Sequence, residues 1–265
     1  MYSDDDVHAM LDQEELMPRL DDTIALVTGA TGGLGEAICH RLASEGASVV
    51  ATDQDAAACV ALVETLDGAG RHLALALDVT SEDAWVDLVA AVRLRYGRLD
   101  AVVNNAGIGS LGHVTEEKLE TWERVVAVDQ TGVWLGMKHG GALVEETGGS
   151  VVNISSILGV GGGLGNSAAY AAAKGAVTNL TKNAALHWAD RGVRVNSVHP
   201  GFIGTRQLLE RFEGSERHRA MVDNTPMKRL GRPDEIAAVV AFLVSDESSY
   251  MTGSELRVDG GWTAR

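Results

Sequence analysis

The stretch "IALVTGATGGLGEAICHRLASEGASVVATD" (24–53) carries most of the argument about the fold. It opens with an apolar strand, "IALVT" (24–28), turns through "GATGGLG" (29–35), continues as a helical stretch near 34–45, and returns as a second strand, "SVVAT" (48–52), before Asp53. A short continuous apolar run suits a strand buried on both faces, as in a parallel sheet covered by helices. Gly29, Gly33 and Gly35 let the backbone turn tightly and approach a pyrophosphate with no Cβ in the way. The helix that follows offers its free N–H groups to the anion. The spacing G-x-x-x-G-x-G differs from the more familiar G-x-G-x-x-G, so the flanking strand and helix carry the reading. An acid about 20 residues beyond such glycines can accept from the adenosine ribose hydroxyls. Asp53 stands there, and Asp55 could play the same part or either could be a turn former. A carboxylate there repels a 2′-phosphate, and neither "TGATGGLG" (28–35) nor "ATDQDAAA" (51–58) holds a Lys or Arg. NAD is expected over NADP.

The alternation continues along the chain. Further strands are expected at 73–77, 101–105, 150–154, 193–198 and 255–258, with helices near 81–96, 115–146, 168–190 and 233–244. This repetition predicts an α/β fold with a doubly wound, seven-stranded parallel sheet and helices on both faces. One domain is expected over 21–265, preceded by an acidic extension, 1–20. The less regular stretch 205–227 reads as an insertion of one or two short helices, placed where lids often lie.

The chain has 265 residues, a formal net charge of −15 and two cysteines, Cys39 and Cys59. The charge argues against nucleic acid, because phosphate binding needs clustered Lys and Arg. No apolar run is long enough to span a bilayer, the N-terminus does not read as a signal peptide, and the cysteine usage fits a reducing compartment. A cytoplasmic protein without a membrane partner is expected. No Cys/His/carboxylate spacing suggests a metal site, and His113, His139 and His199 are given no role.

"SAAYAAAKGAV" (167–177) sets Tyr170 and Lys174 one helical turn apart on one face. This is either an ordinary surface pair or an acid/base pair. The ordered motifs decide it. Over roughly 22–262 the chain resembles the short-chain dehydrogenase/reductase family, through "TGATGGLG", Asp78-Val79, "NNAG" (104–107), "NISS" (153–156), "YAAAK" (170–174), "HPGFIGT" (199–205), "GRPDE" (231–235) and "VDGG" (258–261).

The resemblance implies a single-domain Rossmann fold and an NAD-dependent oxidoreductase. It implies that Ser156, Tyr170 and Lys174 are catalytic, with Ser155 as the understudy of Ser156. Lys174 is expected to lower the phenol pKa of Tyr170. The implied cofactor residues are Gly29, Thr31, Gly33, Leu34, Gly35, Asp53, Asp78, Val79, Asn105, Ala106, Gly107, Tyr170, Lys174, Pro200, Gly201, Ile203 and Thr205. A fourth catalytic position, usually Asn, is here Asp129 in "VDQTG" (128–132). Asp129 either keeps a proton relay in altered form or is tolerated where only the backbone matters.

The substrate pocket is expected to be lined by Leu111, Leu158, Val160, Leu164, Phe202, Leu208, Leu209, Phe212 and Met221, with Arg206 the best-placed cation. Such a lining suits a hydrophobic secondary alcohol or ketone, with steroid, cyclic and terpenoid alcohols favoured by the resemblance. The resemblance also implies a homotetramer. An NADPH-dependent 3-oxoacyl-[acyl-carrier-protein] reductase and a non-catalytic dinucleotide-sensing protein are the alternatives.

Overall fold

The computed structural model describes residues 19–68 and 70–264. Seven strands, all paired in parallel, form one sheet: β1 (Ile24–Thr28), β2 (Ser48–Asp53), β3 (Leu73–Ala76), β4 (Ala101–Asn104), β5 (Gly149–Ile154), β6 (Val193–Pro200) and β7 (Glu255–Val258). Their spatial order is β3-β2-β1-β4-β5-β6-β7, so the winding reverses between β1 and β4. Ligands of such sheets bind beyond the carboxyl ends of the strands at that reversal.

Alternate side chains of each strand enter opposite cores. Ala25, Val27, Val49 and Val103 pack under α1 (Gly33–Ser44) and the C-terminal helix Pro233–Val244. Leu26, Val50, Val102 and Val151 face the opposite layer. That layer comprises α3 (Glu82–Tyr96), the long helix α4 (119–145) and α5 (Ala168–Trp188). Local chemistry sets several helix ends. Ser81 Oγ accepts from Ala84 N–H at the start of α3, and Gly97, in the left-handed region, ends it. A short helix the sequence reading missed, α2 (Ala56–Val63), begins where Asp55 accepts from Ala57 and Ala58 N–H. Between β6 and β7 lie α6 (Arg206–Phe212), α7 (Glu216–Asn224) and α8 (Pro233–Val244); the first two form the expected insertion.

The extension expected over 1–20 falls mostly outside the described residues. Its last two residues correct the boundary, because Leu20 is buried and Arg19 pairs with Glu45 and Glu247. Both cysteines are buried and free. Burial pushes the Cys59 thiol up to about 11 and that of Cys39 higher still. Among the described residues, no helix is long and apolar enough to cross a membrane.

Candidate active site

A cavity of about 640 Å³ opens where β1 and β4 end. One side is the glycine turn. Gly29 sits at φ +61°, and a Cβ on Gly35 would lie 2.1 Å from the Gly29 carbonyl oxygen, so the turn closes only without side chains there. The neighbouring turn is stapled to it. Asn105 Nδ2 donates to the carbonyls of Thr28 and Gly29, while Thr28 Oγ1 accepts from the N–H groups of Asn105 and Ala106.

At one end of the cavity, Asp53 Oδ2 accepts from Thr31 Oγ1 (2.6 Å) and Thr31 N–H (3.2 Å). Asp55 is spent on capping α2, which leaves Asp53 as the acid on the cavity wall. Asp78 lies at the rim between the lining residues Leu77 and Val79, its carboxyl held low by the Thr80 hydroxyl and N–H.

Tyr170 and Lys174 line the opposite end. Lys174 is buried, and Nζ donates to the Ile154 carbonyl (2.9 Å) and faces Asp129 Oδ2 at 3.1 Å. Asp129 is fully buried and sits in a π-type turn, Ala127–Thr131, inside α4. Its Oδ1 accepts from Ile108 N–H (2.8 Å). A Cβ on Gly107 would lie 2.8 Å from Oδ2, so this glycine admits the carboxylate. Burial works against the Lys174 ammonium, but Asp129 and Tyr170 together outweigh it and keep the lysine above its ordinary pKa. Burial pushes the Asp129 carboxyl up, and Lys174 and the Ile108 N–H pull it back.

The expected lowering of the Tyr170 pKa by Lys174 is present but does not set the net direction. Burial raises the phenol; Lys174 and a hydrogen bond with Ser156 lower it, and Asp129 raises it again. The net direction is upward, chiefly because the phenol is buried, with Asp129 adding to the rise.

The two serines part company. Ser155 Oγ bonds to the Lys174 carbonyl and to Thr178, buried beneath α5. Ser156 Oγ accepts from Leu158 N–H, which leaves its own proton to be donated on the cavity side, toward the Tyr170 oxygen. His199, given no role from sequence, holds this serine from behind. The fully buried ring donates from Nδ1 to the Ser156 carbonyl (3.0 Å). A carbonyl only accepts, so Nδ1 carries the proton and Ser197 donates to Nε2 (2.8 Å). The motif "HP" before Gly201 was visible; what the imidazole touches was not.

Other expectations divide. Gly33, Leu34, Ala106, Gly107 and Thr205 line the cavity. Ile203 instead buries its side chain beside Gly231, and it and Gly201 line a second, smaller cavity and are absent from the wall of the first. Of the expected substrate-pocket residues, Leu208 and Phe212 line the main cavity. Phe202 turns to the second cavity and meets Trp262 edge-on, and Met221 is buried. Leu158 folds against Gly163, and Leu209 is about 100° round α6 from Leu208. Leu111, Val160 and Leu164 are likewise absent from the main cavity wall. Arg206 is exposed and lies near Glu210 (3.7 Å). Among the described residues, no cluster of three or more His, Cys, Asp or Glu could hold a metal.

Residues 29–263 match the family described as Enoyl-(Acyl carrier protein) reductase. The chain is 41% identical to trans-4-hydroxycyclohexanecarboxylate dehydrogenase of Sinomonas cyclohexanicum, covering 93% of this chain and 95% of that protein. It is also 41% identical to cyclopentanol dehydrogenase of Comamonas sp. (strain NCIMB 9872), covering 94% and 100%. A short-chain type dehydrogenase/reductase from Mycobacterium marinum has a similar crystal structure, with TM-score 0.88 and 31% identity over 94% of this chain and 98% of that one.

Proposed function

This chain belongs to the short-chain dehydrogenase/reductase family, and from that premise we propose that it is an NAD-dependent dehydrogenase of hydrophobic cyclic secondary alcohols. Oxidation of a CH–OH group is the reaction. The observation that carries the reading is one cavity with an acid-tipped glycine turn at one end and Tyr170 and Lys174 at the other.

The donor set fits a dinucleotide. The glycine turn and the start of α1 would hold the pyrophosphate, Asp53 the adenosine ribose, and Asp78 and Val79 the adenine rim. Asn105 to Gly107, Thr205 and the backbone of Pro200, Gly201 and Ile203 would frame the nicotinamide end. Bound NAD⁺ would supply the hydride acceptor.

The chain's own residues manage the proton. Tyr170 takes it from the alcohol hydroxyl in oxidation and returns it in reduction. Ser156, whose Oγ already accepts from Leu158 N–H, turns its hydroxyl proton from Tyr170 to the substrate oxygen, where charge changes most during the reaction. Lys174 has three donors; one goes to the Ile154 carbonyl and the ammonium pairs with Asp129, which leaves a donor available to the nicotinamide ribose. Asp129 keeps Lys174 charged and sets its direction. We infer a homotetramer as well, supported by Trp122, Trp134 and Leu186, exposed on α4 and α5; light scattering would read its mass.

The test is formation of NADH from NAD⁺ or of NADPH from NADP⁺, followed by near-ultraviolet absorbance, with a panel of cyclopentanol, cyclohexanol, steroid and terpenoid alcohols and a 3-hydroxyacyl thioester. Turnover of cyclic alcohols with NAD⁺ is expected, falling about 10²–10⁴-fold in Tyr170→Phe with NADH binding retained. Turnover confined to NADP⁺ and the thioester would overturn the reading.

A further inference from the structure

The insertion above the cavity holds a cation without an anion. Arg217, on α7, is partly buried, and its Nε is fully enclosed with no hydrogen-bond acceptor. Among the described residues its one polar contact is a long one, from Nη2 to Asn166 Oδ1 (3.4 Å), in the loop leading to Tyr170. Its Cζ lies 5.3 Å from the centre of the Phe212 ring, and Arg211 Cζ lies 5.1 Å from the same ring. Among the described residues, neither arginine has a carboxylate within ion-pair distance. Burial and the neighbouring charge of Arg211 both depress the Arg217 guanidinium.

Elsewhere this acidic chain supplies its buried or bridging arginines with partners. Arg19 meets Glu45 and Glu247, Arg229 meets Glu235, and the partly buried Arg194 donates to three carbonyls and the Ser248 hydroxyl. Enclosing a guanidinium without an acceptor is costly and needs a cause. The place suggests one. Phe212, Arg211, Leu208 and Gln207 line the same cavity as Tyr170 and Lys174. Arg211 therefore lies on the cavity wall beside Phe212, and Arg217 packs against the same ring from outside the wall, where the rest of the expected substrate lining is apolar.

We propose that Arg217, with Arg211 beside it, is the recognition site for a carboxylate carried by the substrate, so that the preferred alcohol is a ring bearing a hydroxyl and, away from it, a carboxylate. Phe212 packs the ring, and the guanidiniums take the anion through their terminal N–H groups, which meet no carboxylate among the described residues. A planar fork of N–H groups matches a carboxylate better than an ammonium would. The alcohol half of this statement rests on the proposed function; the anion half rests on the arginines alone.

The test separates the two. Calorimetric binding of trans-4-hydroxycyclohexanecarboxylate and of its carboxamide is measured on the full chain saturated with NADH, which needs no turnover. The carboxylate is expected to bind about 10- to 100-fold more tightly than the amide. Arg217→Gln is expected to remove most of that preference, Arg211→Gln part of it, and Arg217→Lys to retain some, with amide binding nearly unchanged in each. Equal binding of the two compounds, no binding of either, or a preference that survives the double Gln variant would each overturn the proposal. A carboxylate preference in a protein that oxidises no cyclic alcohol would leave the anion site standing and sink the proposed reaction.

Discussion

Asp129 acts on the proton of a neighbour it need not touch. Its charge raises the pKa of both Lys174 and Tyr170, so replacing it by Asn removes both contributions. Oxidation needs the phenolate, and its rate therefore rises with pH through the pKa of Tyr170. In Asp129→Asn that acid limb is expected at lower pH than in the wild type, read from kcat/KM profiles; an unmoved limb would reduce Asp129 to a structural residue. Asp129→Ala, which strands a buried ammonium, should cost about 3–5 kcal/mol of stability in denaturant unfolding. At the other end of the cavity, Asp53→Asn should improve kcat/KM with NADP⁺ relative to NAD⁺ by roughly 10-fold or more, since a like-charge clash of several kcal/mol is relieved. His199 gives a stability signature instead. Burial holds its pKa below the ordinary histidine value, so the unfolded chain binds the extra proton. Stability from this residue is complete above about pH 6.5 and is lost as pH falls toward the folded value. His199→Asn should flatten that dependence between pH 7.5 and 5.5.

At the scale of elements, the helix 119–145 shows how closely sheet and helix are matched. A Cβ on Gly136 would lie 2.0 Å from Asn104 Oδ1, and Asn104 is tied through Asn153 to Thr181 on α5. Gly136→Ala should therefore cost about 1–3 kcal/mol, measured by thermal unfolding, because the amide it meets has no room to swing away. Elements with strong periodicity were legible in the sequence: β1 and β7 were located residue for residue, and α8 as well. α2 was missed because "AAACVALV" has no polar face to mark a period, and only its cap, Asp55, announced it. The glycine turn and the Tyr170–Lys174 pair were legible because backbone geometry and helical spacing fix them. Most of the substrate lining was not, since side-chain direction in the loops around 111, 158 and 164 follows no period. On α6 the helical spacing of Leu208 and Phe212 does the work that sequence order alone could not, and it separates them from Leu209.

For the whole molecule, one parallel sheet sends every strand's carboxyl end to the same edge, so ligand binding and folding draw on the same turns. NADH at about 100 times its Kd should add about 2.7 kcal/mol of stability. For a chain of this size that is roughly 5–10 °C in Tm. A scan with no shift would count against a dinucleotide in this cavity. The buried cysteines add an experimental handle of another kind. With Cys39 and Cys59 both enclosed and their thiolates disfavoured, the native protein is silent toward thiol-directed reagents at neutral pH. A cysteine introduced by Glu216→Cys at the exposed start of α7 would be its one reactive thiol. A fluorophore attached there would report whether the insertion changes its surroundings when ligands bind, against a dark background.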